Sequence, residues 1–251
     1  MGLRASLLAL CSFPFLFFPC GTSFSTLPPA VQQIGKGGTV PQLILISGCT
    51  GTGKSTFGME VAINQGILKC ISTDTIRQVM RSSCDNVGIC DEALQRSSFQ
   101  GNGDPVMNWL EACKAIERGI EGTVDDCINR GVSLVLEGVH IVPGPDLLKR
   151  WTSKGGLAVG TVLTIPDATV HETVIRRRGE MTGKGADRQT EKIARIRAIH
   201  DEMVRLGKEN QWLLIEQKPR LEPKPIDMVT SLLQNRYLEG NFDNLPMDSS
   251  T

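Results

Sequence analysis

The stretch Gly48–Ser55 reads GCTGTGKS and matches the pattern G-x-x-x-x-G-K-[ST] throughout. In a loop of this kind successive backbone N–H groups turn inward around phosphate oxygens, the lysine reaches the terminal phosphates, and the hydroxyl side chain binds Mg²⁺. The residues that would do this are Gly48, Thr50, Gly51, Thr52, Gly53, Lys54, Ser55 and Thr56, and the ligand they imply is a nucleoside triphosphate. The glycines allow positive φ and a close approach of backbone to phosphate, while the helix that follows aims its partly positive end at the anion. The apolar run Leu43–Ile46 before the loop and STFGMEVAINQG after it supply the strand and helix that the motif needs. The loop alone names no reaction, because it serves GTPases, ATP-driven motors and small-molecule kinases alike.

Three other groups of residues could select among these. Asp74 and Arg77 form D-x-x-R at a helix start, a spacing that sets both on neighbouring faces of one turn. A carboxylate there can take the proton of an attacking hydroxyl while the guanidinium holds an anionic part of the substrate; the plainer alternative is a helix cap and a solvated arginine. Glu137 closes the apolar run Ser133–Leu136 and can reach Mg²⁺ through water, as a second metal residue beside Ser55, unless it is merely a surface acid at a strand end. Beside it stands His140, whose simplest role is a structural hydrogen bond. Finally, Arg176, Arg177 and Arg178 precede Gly179, Gly183 and Gly185, with Lys184 and Arg188 nearby, which suggests an arginine-rich lid. Arg177 or Arg178 would then neutralise charge on the transferring phosphate, the alternative being a solvated basic helix end.

Strand-like runs occur at Gln42–Ser47, Leu68–Thr73, Ser133–Glu137, Gly160–Ile165 and Trp212–Glu216. Helical patterns fall at Ser55–Asn64, Asp74–Ser82, Pro105–Arg130, Asp146–Trp151, Ala168–Arg178, Thr190–Asn210 and Ile226–Leu238. The alternation predicts an α/β chain with the P-loop NTPase fold, a five-stranded parallel sheet with helices on both faces. Ligands of such sheets bind beyond the carboxyl ends of the strands, where Asp74 and Glu137 stand.

Lysine plus arginine balance aspartate plus glutamate at 27 each, which lacks the basic footprint of a nucleic-acid binder. One tyrosine, Tyr237, and no aromatics among the clustered arginines leave little for base stacking. The expected partner is a small anionic molecule. Residues 1–23 read as a signal peptide: an early Arg4, an apolar core from Ala5 to Phe18, then small residues. An uncleaved anchor and a myristoylated Gly2 are the weaker readings of that segment. The residues from Phe24 resemble the bipartite presequences of complex plastids, so the chain is expected to enter the secretory route toward an ATP-containing organelle, free of stable membrane attachment once processed; the alternative is a cytoplasmic chain whose first segment does not act as a signal. Residues 24–40 would be linker or transit segment, 41–240 the kinase domain and 241–251 a disordered tail. The eight cysteines show no C-x-x-C spacing; Cys84 and Cys90 flank a loop and could pair, and Cys49 is either packed or an oxidation switch.

Four stretches together resemble the 2-phosphoglycerate kinase family and its plant relatives linked to phytic acid metabolism. They are ISTDTIRQVMR at Ile71–Arg81, SSF at Ser97–Phe99, LEGVHIVPG at Leu136–Gly144 and RIRAIHDEMV at Arg195–Val204, so the resemblance spans most of Pro41–Glu216. It implies ATP-dependent phosphorylation of the 3-hydroxyl of 2-phosphoglycerate to give 2,3-bisphosphoglycerate. By position, Lys54 and Ser55 would hold ATP and Mg²⁺, Asp74 and Arg77 would face the substrate, and Glu137 and His140 would lie by the cleft. A substrate with both a carboxylate and a phosphate calls for further cations, which Arg81, Arg188, Arg195 and Arg197 could supply. The chain departs from the family at His200, where a glutamine is common. An inositol phosphate acceptor, or a nucleotide-binding switch without transfer, are the alternatives.

Overall fold

The computed structural model describes residues 40–85, 91–96, 99, 101–181, 192–217 and 225–240. Five strands run β1 (Gln42–Ser47), β2 (Lys69–Ser72), β3 (Leu134–Gly138), β4 (Leu157–Thr164) and β5 (Leu213–Glu216). They form one sheet in the order β2-β3-β1-β4-β5, with every neighbouring pair parallel. The helices are α1 (Lys54–Gln65), α2 (Thr73–Asp85), α3 (Glu92–Gln95), α4 (Pro105–Asn129), α5 (Asp146–Thr152), α6 (Ala168–Met181), α7 (Ile193–Glu209) and α8 (Pro225–Glu239). This is the P-loop NTPase fold. No helix among the described residues is long and apolar enough to cross a membrane.

The strands are apolar nearly throughout because both faces are covered. Alternation along β1 divides its side chains: Leu43 and Leu45 pack with Trp109, Ile116 and Ile120 of α4 and Ile199 and Met203 of α7. Ile44 and Ile46 point the other way, against Phe57 and Val61 of α1 and Val229 and Leu233 of α8. Burying each such large side chain stabilises the fold by about 1.5–3 kcal/mol. Helix α4 begins where Asp104 accepts the N–H of Met107 at 2.9 Å, with Pro105 in the first turn. From there buried residues recur at Trp109, Ala112, Cys113, Ile116 and Ile120, one face of a helix.

Register then levels the strand ends. Ser72 lies beside Glu137 and Ser47 beside Gly138, so the ends of β2, β3 and β1 meet at one height, directly below the loop that starts at Gly48. Most boundaries shift by one to three residues, and two of these shifts concern the sheet and the flap. Strand β4 starts at Leu157 rather than Gly160, because the sheet edge extends along Gln42–Ile44. Helix α6 continues through Gly179 to Met181, so the beginning of the expected flap is helical, and Gly179 is buried. Residues 1–39 of the expected leader and linker, the Cys90 half of the suggested pair, the remainder of the expected flap with Arg188, and the expected tail 241–251 lie outside the described residues.

Candidate active site

The phosphate loop is held by its own backbone. Gly51 and Gly53 have φ of 86° and 79°, which a side chain would resist, and a Cβ at Gly48 would lie 2.8 Å from the Thr52 hydroxyl and 2.9 Å from the Leu163 carbonyl. The Thr52 hydroxyl and Lys54 Nζ both donate to the Cys49 carbonyl at 2.8 Å. Gly53 caps α1 with no side-chain hydrogen bond, and no acidic residue stands in the first turn. The N-terminal N–H groups of that helix, with Ser55 and Thr56 exposed among them, thus have no cap or first-turn acid of the helix itself to compete with and suit an anion. Burial lowers the pKa of Lys54, a shift opposed by the carboxylates of Glu137 and Asp74.

Glu137 is 5% exposed, which removes the surface-acid alternative. Its Oε1 accepts the Ser55 hydroxyl at 3.1 Å. One hydroxyl and one carboxylate beside the lysine are a donor set that fits Mg²⁺, an ion that keeps several waters and takes its other ligands from phosphates.

Asp74 emerges from the first turn of α2 with its side chain 74% exposed. The Ser72 hydroxyl, not Asp74, accepts the helix's early N–H, at 3.2 Å from Asp74 N, so the capping alternative does not hold. Facing it is His140, whose Nδ1 is 3.1 Å from Thr73 Oγ1 and 3.8 Å from Asp74 Oδ1. Burial pushes the His140 pKa down to about 4, so the ring is neutral near pH 7 and its approach to Asp74 is no ion pair. The charges of Asp74, Arg77, Lys54 and Arg81 all act on this ring, which gathers them around one cleft. The loop carrying His140 is pinned by its carbonyls. Val139 O accepts Trp109 Nε1 at 2.7 Å, Ile141 O the Ser47 hydroxyl at 2.7 Å, Pro143 O Asn210 Nδ2 at 3.2 Å and Gly144 O Trp212 Nε1 at 3.2 Å.

The expected arginines divide by what they touch. Arg77 is 8% exposed; its Nε donates to Leu94 O at 3.1 Å while Nη2 is buried with no acceptor among the described residues. Arg81 donates Nε to the same oxygen at 2.7 Å and Nη2 to Gln95 O at 2.5 Å. Arg197, expected on the substrate, is instead engaged with protein: Nη1 on Ile165 O at 2.7 Å, and Nη2 on Asp201 Oδ1 at 2.9 Å and Pro166 O at 3.3 Å. Arg177 and Arg178 are both exposed on α6, and of the two it is Arg178 whose charge acts on Lys54. Arg195 donates to Gly103 O at 3.0 Å and leaves Nε and Nη2 buried without acceptors among the described residues.

Two histidines have roles that sequence reasoning missed, and Cys49 takes one of the two roles expected of it. His171 of α6 sits 2.8 Å from the Thr50 carbonyl in the loop. His200, the residue that departs from the family, caps the end of β4, its Nε2 accepting the N–H of Ile165 at 3.1 Å. Cys49 is wholly buried, its thiol 3.5 Å from Ile196 O, and burial pushes its pKa up to about 12; a thiol kept protonated and shielded is a packing residue, not an oxidation switch. No local pattern marks the two histidines; only the family departure at His200 drew notice to either.

No family model matches the chain. Among solved structures, shikimate kinase from Acinetobacter baumannii aligns with a TM-score of 0.44 at 13% identity over 80% of this chain and 96% of its own, a likeness too distant to bear on function. The 2-phosphoglycerate kinase of Methanopyrus kandleri is 30% identical over 214 residues, 80% of this chain and 63% of that protein. The 2-phosphoglycerate kinase of Methanocaldococcus jannaschii is 32% identical over 214 residues, 81% of this chain and 68% of its own length. The chain thus spans about two thirds of these relatives. A nucleotide-binding loop above aligned strand ends, joined to that extent of shared sequence, makes this chain a kinase, and it belongs to the 2-phosphoglycerate kinase family.

Proposed function

We propose that the chain transfers the γ-phosphoryl group of ATP to the 3-hydroxyl of 2-phosphoglycerate, forming 2,3-bisphosphoglycerate. Relatives carrying that name support the acceptor. The observation that carries the reading is Arg77: a guanidinium beside the exposed Asp74, with a buried N–H that no group among the described residues accepts. Leaving such a donor unpaired costs about 1–3 kcal/mol, so a site that retains it is suited to an anionic ligand. Arg195 holds two more such donors. The carbonyls that the two arginines bind, those of Leu94 and Gly103, lie between α2 and α4.

In this reading Lys54 and the loop N–H groups hold the β- and γ-phosphates, and Ser55 and Glu137 would hold Mg²⁺, which when bound withdraws charge from the phosphate oxygens. Asp74 orients the acceptor hydroxyl and takes its proton on a carboxylate oxygen as the new bond to phosphorus forms. Neutral His140 and Thr73 fix the floor of the cleft without adding charge. Arg178 approaches from α6 to balance charge on the moving phosphoryl group, and Arg77 holds an anionic group of the acceptor.

The test follows ADP release by the full chain with Mg-ATP against 2-phosphoglycerate, 3-phosphoglycerate and a panel of inositol phosphates, with Lys54→Ala as the inactive control. Selective turnover of 2-phosphoglycerate is expected. Turnover of an inositol phosphate instead would move the acceptor, and ATP binding with no acceptor-dependent turnover would remove the transfer reaction. The proposal includes a cleaved leader at residues 1–23; a fluorescent fusion of the full chain that distributes as does one starting at Phe24 would remove that part.

A further inference from the structure

His171 is wholly buried on α6, and its two ring nitrogens face different partners. Nδ1 lies 3.3 Å from Nη1 of Arg197; a guanidinium only donates, so Nδ1 is the acceptor and carries no proton. The ring proton is therefore on Nε2, which donates to the Thr50 carbonyl at 2.8 Å. Arg197 is held in turn by Asp201 Oδ1 at 2.9 Å, and that same oxygen accepts Nδ1–H of His200 at 2.9 Å. His200 Nε2 accepts the Ile165 N–H and stands 3.0 Å from the Thr164 hydroxyl. A continuous chain of matched donors and acceptors thus runs from the end of β4 to the phosphate loop. Burial lowers the pKa of both rings, in keeping with the neutral tautomers that the chain requires.

The position of Thr50 gives this chain a consequence for the nucleotide. In a trans peptide the C=O and the following N–H point in opposite directions. Drawing the Thr50 carbonyl toward α6 turns the Gly51 N–H away from α6, toward the hollow where phosphate oxygens belong. The α6 side is closed: a Cβ on Gly51 would lie 3.3 Å from Ile175 and 3.6 Å from His171. Without the His171 bond, the Thr50–Gly51 peptide is free to rotate and present its carbonyl, rather than its N–H, to the anion.

We propose that His171 is a positioning residue for nucleotide binding, holding the Thr50–Gly51 peptide with its N–H toward the phosphates, with Arg197, Asp201 and His200 fixing the tautomer that does so. The proposal rests on the nucleotide-binding loop and not on the identity of the acceptor. It also ties the loop to the helix that carries Arg178, so both sides of the phosphate site share one support.

The experiment compares His171→Gln with His171→Asn in the full chain, measuring Mg-ATP affinity by calorimetry without acceptor and confirming folding by thermal melting. The glutamine amide can reach Thr50 as Nε2 does, whereas asparagine is one methylene too short. Loss of one hydrogen bond predicts Mg-ATP binding weakened about tenfold in H171N and within about threefold of the parent in H171Q. In kinetics, KM for ATP should rise in H171N while KM for the acceptor stays level. Equal affinities for the two variants, weak or strong, overturn the proposal. If H171N does not fold, nitrogen NMR of the unsubstituted chain decides: of its three histidines, His171 should titrate as the Nε2–H tautomer and His200 as Nδ1–H, and a proton on His171 Nδ1 would overturn it. A chain that shows the H171N–H171Q pattern yet leaves 2-phosphoglycerate untouched would refute the proposed acceptor and leave the role of His171 standing.

Discussion

Replacing Arg77 by methionine separates a binding residue from a structural one, because the two roles predict opposite effects on stability. Among the described residues the guanidinium makes one bond, Nε to Leu94 O at 3.1 Å. Removing it does not orphan that oxygen, which still receives Arg81 Nε at 2.7 Å. The lost bond is worth about 0.5–1.5 kcal/mol, whereas relieving a buried donor that lacks an acceptor returns about 1–3 kcal/mol, and methionine refills most of the volume. Arg77→Met should therefore fold with unchanged or higher stability, by up to about 2 kcal/mol. Acceptor binding should suffer the reverse, since a charge-assisted bond contributes about 1.5–3 kcal/mol, or a rise in KM for 2-phosphoglycerate of roughly 10- to 150-fold. Urea unfolding of both proteins, beside initial rates at saturating Mg-ATP, reads the two quantities. A variant destabilised by about 2 kcal/mol or more with its acceptor KM unmoved would show that Arg77 serves the fold, and the reasoning from its unpaired N–H would be wrong.

Glu137→Gln keeps the volume and an acceptor for the Ser55 hydroxyl but removes the charge, so the fold should hold while kcat falls by about 10²-fold or more and the Mg²⁺ requirement rises; initial rates over a Mg²⁺ titration check this. Stability should fall as pH drops from about 6.5 toward 4, because the unfolded chain takes up a proton at His140 there while the buried ring stays neutral. That share is on the order of 3 kcal/mol, His171 and His200 act in the same direction, and His140→Asn should flatten the pH dependence of the urea midpoint. An unaltered slope in H140N would contradict the assignment. At Gly138, φ is 157° and a Cβ would lie 1.7 Å from Thr73 Oγ1, so Gly138→Ala should lower stability by about 2–4 kcal/mol, read as a fall in melting temperature. Because Thr73 adjoins Asp74, the same substitution should lower turnover even where the chain folds.

What could be read from the residues alone is what local order encodes. Glycines at fixed offsets before Lys54, an apolar strand before them and a helix after define the phosphate loop without reference to distant parts of the chain, and five apolar runs alternating with helical patterns define a parallel sheet. Glu137 was legible for the same reason, since a single acid ending a buried strand must emerge at the sheet's carboxyl end. The fate of the arginines was not. Whether a guanidinium is free for a ligand depends on which carbonyls come within reach, and those of Ile165 and Pro166 lie some thirty positions from Arg197. The bond from His171 to Thr50 spans 121 positions, and no spacing rule connects a lone histidine in a basic helix to a loop before it. Cys49 had the same ambiguity: its place in the loop suggested reactivity, and only the packing of α7 over it decided otherwise. Sequence determined the backbone periods and the motif, because these are short-range properties; tertiary structure decided which polar groups are satisfied and which remain for a substrate, because that depends on every donor and acceptor the fold brings within about 3 Å.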